Sequence, residues 1–88
     1  RCSPFSDDNP HLDRQKIGAK FGELIAEIEG ILNRGIADGT IAEVPVRDSA
    51  LMIYAAMVGA VRTVFLSPFG DPGLFHETRR FIIRSVRA

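Results

Sequence analysis

From Ala50 to Leu66 the chain reads ALMIYAAMVGAVRTVFL, a helical stretch with no polar side. At helical spacing, Leu51, Tyr54, Val58, Val61 and Phe65 form one apolar stripe, and Ile53, Met57 and Val64 form a second. Met52, Ala56, Gly59, Thr63 and Leu66 form a third, and Arg62 is the only charge. A helix on the surface of a small domain carries one apolar stripe and one charged face, so this one must be covered on more than one side. The rest of an 88-residue chain is too little to do that alone. A partner surface is therefore implied, and Ala55, Ala56, Gly59 and Ala60 are small enough to let another helix backbone come close.

Two amphipathic helices flank this one. Asn9 is placed to cap the first, with Pro10 at its opening position, where a missing N–H costs nothing. The stripe Ile17, Phe21, Leu24, Ile25, Ile28, Ile31, Leu32 and Ile36 carries it to about Asp38. Gly18, Gly22, Gly30 and Gly35 weaken it by up to about 1 kcal/mol each, so a bend or a late start near Gly18 is expected. Gly39 then ends it as a left-handed cap. Thr40–Arg47 is a connector, extended at Val44 because the residue before a proline avoids helix. Asp48 is expected to cap the second helix, and Ser67-Pro68-Phe69-Gly70 to break it. Asp71-Pro72 opens the third, which runs to Arg87 with an apolar face of Leu74, Phe75, Thr78, Phe81, Ile82, Ile83 and Val86. Residues 1–9 read as a loop or frayed end, and residues 10–88 as one all-α segment of three helices.

Composition narrows the function. A hydrophobic share of 45% and a charged share of 25% are ordinary for a globular domain. The formal net charge is zero, which argues against a general polyanion binder. The lone Cys2 cannot form an internal disulfide. A membrane span is disfavoured, because Ala50–Leu66 falls short of roughly 20 residues and Arg62 would cost about 2.5–3.5 kcal/mol near a bilayer centre.

Catalytic chemistry has little support. His11 and His76 have no second ligand at metal-binding spacing, and Cys2 has no neighbour to lower its pKa. Glu23 and Glu27 are spaced one helical turn apart, but no histidine follows at the spacing of a helical di-metal site. No glycine-rich phosphate loop is present. Neither an enzyme nor a cofactor is expected. Arg79, Arg80, Arg84 and Arg87 suit the C-terminal half of the last helix, where they oppose its negative end. Arg62 must snorkel, pair across a partner, or meet a ligand anion. Phe21, Met52, Tyr54, Met57 and Phe65 can be read as pocket wall or as plain core.

The order of these features resembles the C-terminal half of TetR-type (tetracycline-repressor-like) transcriptional regulators. In that family a pattern hxxGhxxGxh, with h apolar, closes the helix before the dimerisation pair. Around LNRGIADGTI, Ile31 or Leu32, Gly35, Gly39 and Ile41 fit it. The resemblance covers about residues 17–88 and makes Asp48–Leu66 and Pro72–Arg87 the last two helices. It implies a cytoplasmic homodimer whose last two helices join those of a partner in a four-helix bundle. Ala55, Ala56, Gly59, Arg62, Thr63, Phe75, Thr78, Arg79, Ile82 and Val86 would form the dimer interface. Phe21, Leu24, Ile28, Tyr54 and Met57 would wall a cavity for a small apolar effector. Operator DNA would be bound only through a helix-turn-helix that the 88 residues do not contain, so the chain is expected to be part of a longer regulator. A standalone helical adaptor or assembly subunit is the alternative, and a small membrane-associated helical protein a third reading.

Overall fold

A computed structural model describes the backbone of residues 10–88 and the side chains from Lys16 onward. The expected Asn9 cap, the loop expected at residues 1–9, and the side chains of Cys2 and His11 lie outside the described residues. Among the described residues the architecture is three helices: α1 (Pro10–Asp38), α2 (Val46–Leu66) and α3 (Gly73–Val86). The all-α reading holds.

α1 is one continuous helix of 29 residues, with neither a late start nor a break at Gly18. A Cβ at Gly18 or Gly22 would meet nothing, so no contact forces the chain out of helix there. Its C-terminus follows the expected glycine logic. Gly39 takes φ +86, the left-handed conformation that a Cβ disfavours. The Thr40 N–H then reaches the Gly35 carbonyl at 3.0 Å and the Gly39 N–H reaches the Ile36 carbonyl at 3.3 Å, the two bonds of a Schellman cap. Ile41 folds its side chain back over Gly35, where any Cβ would overlap Ile41 Cγ1 and Cδ1. The Asp38 carboxylate accepts from the Thr40 hydroxyl at 2.7 Å and from its N–H at 3.0 Å. These bonds hold Asp38 below the ordinary carboxylate pKa, the hydroxyl having the larger effect.

α2 starts two residues before the expected Asp48. Pro45 is the N-cap, at φ −66 and ψ 110, and its carbonyl takes the first helical bond from the Ser49 N–H at 2.8 Å. A proline there forfeits no donor, since its N–H would have no helical partner anyway. Asp48 sits in the first turn without a side-chain cap bond, where its charge still suits the positive helix end. Arg47, beside it, pairs with Glu29 of α1, and that bond raises the guanidinium pKa.

α2 ends at Ser67, whose hydroxyl donates to the Thr63 carbonyl at 2.8 Å. Gly70 then comes so close to α2 that a Cβ would stand 3.0 Å from Thr63 Cγ2 and 3.2 Å from its carbonyl. α3 starts at Gly73, one residue later than expected, with the Asp71 carboxylate accepting the Gly73 N–H at 2.8 Å.

α2 is the middle of a single layer, with α1 along one side and α3 along the other. The extents are 54 × 32 × 14 Å and the radius of gyration is 16.6 Å. A compact chain of this length would have a radius of about 12 Å. The only fully buried apolar residues among those described are Ile25, Leu32, Ala50 and Ala60. Ile28, Ile41, Val46, Ile53, Tyr54 and Val86 pack half-buried around the α1–α2 seam. A layer has seams but no interior, and the described residues leave its two broad surfaces bare.

Candidate functional site

The two bare surfaces carry the candidate site. On α2, the spacing of Met52, Ala55, Gly59, Arg62 and Leu66 places them on one side of the helix. Met52, Ala55, Arg62 and Leu66 are all exposed, and Gly59 is half-buried. A Cβ at Gly59 would meet no atom within 4 Å. The chain's own packing therefore gives no reason for a glycine in mid-helix, which costs about 1 kcal/mol relative to alanine. The Gly59 carbonyl accepts the Thr63 hydroxyl at 2.7 Å, which leaves that hydroxyl turned into its own helix.

Between α2 and α3 runs an open groove of about 390 Å³, lined by Ala56, Ala60, Thr63, Leu74, Thr78 and Phe81, with Glu77 and Arg84 beside it. A second hollow of about 340 Å³ continues toward the connector, past Val44, Pro45, Met52, Ile53, Phe81 and Ile82. Phe81 lines both and is 61% exposed.

The expected interface residues fall into three groups. Ala55, Ala56, Gly59, Arg62 and Thr63 belong to α2's bare side or to the groove beside it. Thr78, Ile82 and Val86, together with Leu74, are half-buried and form α3's seam with α2 within the chain. Phe75 stands against Phe65, ring centroids 6.3 Å apart, and Arg79 is exposed. Leu74, Glu77, Phe81 and Arg84 are the α3 groove residues that were not expected there. The four-residue spacing of Leu74, Thr78, Ile82 and Val86 is the signal that identifies the seam, and Phe81 lies on its flank.

The expected ligand wall lies on α1 and α2. Phe21 meets Tyr54 edge-on, with centroids 4.9 Å apart and ring planes at 89°. With Ile17 and Leu24 they line a shallow hollow of about 280 Å³, beside Lys16 and Lys20. The structure thus brings Phe21, Leu24 and Tyr54 together. Ile28 packs on the Ile25–Leu32–Ala50 seam instead, and Met57 is 47% exposed outside the hollow. Met57→Ala should then cost less than about 1 kcal/mol, well under the roughly 2–5 kcal/mol of a buried large-to-alanine change. Urea unfolding of the chain checks this, and a loss above 2 kcal/mol would mark Met57 as core.

Among the described residues, no group of three His, Cys, Asp or Glu side chains could hold a metal ion. None of their buried side-chain polar atoms lacks a partner. Arg62 makes no ion pair with another described residue. Starting at Val46, α2 has 21 residues and is long and apolar enough, by length and composition alone, to cross a membrane, so the length expected to disfavour a span does not do so. Comparison with family models, curated proteins and solved structures finds no match to this chain.

Proposed function

We propose that this chain is the dimerisation and effector-binding segment of a TetR-like transcriptional regulator, and that two copies join through α2 and α3 as a four-helix bundle. One observation carries this reading: α2 has no polar side, yet the described residues cover it along only two seams. A soluble domain does not leave so much contiguous apolar surface bare without a use for it. Further support comes from Gly35 and Gly39, whose places in the family pattern match a contact and a backbone angle that glycine suits here. The effector role rests on the Phe21–Tyr54 hollow, whose lining is mostly apolar. A cytoplasmic location follows from the same reading.

Sedimentation equilibrium tests the dimer. A monomer with a cooperative fold at micromolar concentration would sink the proposal. DNA binding belongs, in this reading, to a helix-turn-helix outside the 88 residues. The chain alone should give no sequence-specific retardation of its native promoter in a gel-shift assay, while the intact regulator should. Specific retardation by the 88 residues would overturn the regulator reading as drawn, and none by the intact product would favour the standalone adaptor, which has no DNA role.

A further inference from the structure

α1 and α3 each pack along α2, and among the described residues α3 meets the α1–α2 core cluster only at its last residue, Val86. Their C-terminal ends are nonetheless joined. The Ala42 N–H donates to the Val86 carbonyl at 2.8 Å, and the Ala88 N–H donates to the Thr40 carbonyl at 3.1 Å. Ile41 is thereby set opposite Arg87 in an antiparallel bridge. On the α1 side the pairing is rigidly seated. The Thr40 and Ile41 N–H groups both reach the Gly35 carbonyl at 3.0 Å, Gly39 supplies the left-handed turn, and Ile41 lies on Gly35. On the other side the Arg87 N–H returns to the Ile83 carbonyl at 3.0 Å. α3 has no fully buried residue of its own. Its hold on the layer is a half-buried seam on α2 and this pairing.

We propose that Thr40–Ala42 and Val86–Ala88 form a clasp that couples α1 to α3. A shift in the last turn of α1 then moves the end of α3 directly, without passing through the body of α2. The coupling itself is a property of the lone chain. Its use rests on the reading above, in which α1 carries part of the effector wall and α3 part of the partner face.

Native-state hydrogen exchange on the full 88-residue chain tests the clasp. Ala42→Pro removes the donor to Val86. It should speed exchange at the amides of Phe81–Val86 about five- to tenfold, as expected for one lost hydrogen bond. The amides of Ile25–Leu32 should keep their rates. Gly35→Ala changes α1 alone, yet by displacing Ile41 it should loosen α3 in the same way. Gly35→Ala with Ile41→Ala gives back the space and should return most of α3's protection. Unchanged α3 exchange in both single variants would overturn the clasp, and so would an equal rise across all three helices in every variant. A monomer in sedimentation removes the regulator reading but leaves this exchange pattern standing, so the two failures are distinguishable.

Discussion

Replacing Gly59 with aspartate should leave a folded chain that no longer dimerises. The position suits the experiment because, apart from the backbone of its own turn, no described residue lies within 4 Å of a Cβ there. The new side chain therefore disturbs no internal contact, and leaving glycine behind adds helix propensity rather than removing it. In a dimer closed over the bare side of α2, the carboxylate would be buried without a partner. Breaking the balance of buried charge in this way costs about 3–5 kcal/mol, a weakening of roughly two to four orders of magnitude. Sedimentation equilibrium beside far-ultraviolet circular dichroism separates the outcomes. A dimer of unchanged affinity would place the interface elsewhere. Ile82, on the same apolar run of α3, is a poorer choice, because it is half-buried against α2 and a charge there would damage the fold as well.

Leu32→Ala should be the most damaging single truncation. Leu32 is 2% exposed and is the largest fully buried side chain among those described. It packs with Ile25 and Ala50 in the cluster that joins α1 to α2. Removing its isobutyl group costs the transfer energy plus a cavity, about 2–5 kcal/mol. A domain of this length holds only about 4–13 kcal/mol in total. The melting temperature should fall by at least about 10 °C. A fall of 2–3 °C, similar to that for Met57→Ala, would mean that the seam is loosely packed. The Ala50 contact would then not be what fixes α2 on α1.

The helices were legible because their apolar positions recur at helical spacing over long runs. The close of α1 was legible too, since a glycine at position 39 and an isoleucine two residues on have a specific mechanical use. The start of α2 was not. Asp48 is a good capping residue by type, but the helix is free to begin directly after Pro45, whose restriction falls on Val44 and not on Val46. The bridge between Ile41 and Arg87 left no trace in the pattern, because a single pair of residues has no period. Half of the candidate site was readable. The bare side of α2 follows from its composition, and the Phe21–Tyr54 contact from two apolar faces that have to meet. On α3 the seam residues could be read from spacing, but its two flanks could not be told apart. Phe75 and Phe81 are both apolar neighbours of the seam, and only the packing of α3 on α2 decides which of them lines the groove.

The thinness of the layer also determines how the sequence can vary. In a globule, a buried centre vetoes most changes at most apolar positions. Here that veto is confined to a few side chains along two seams, Leu32 and Ala50 foremost. The chain's own shape places little demand on Met52, Leu66, Phe69 or Phe81, all well exposed. In the proposed dimer, the partner's surface is what would keep these residues large and apolar. A survey of tolerated substitutions would therefore outline two separate sets: a short one recording how the helices hold each other, and a longer one recording the shape of what they hold onto.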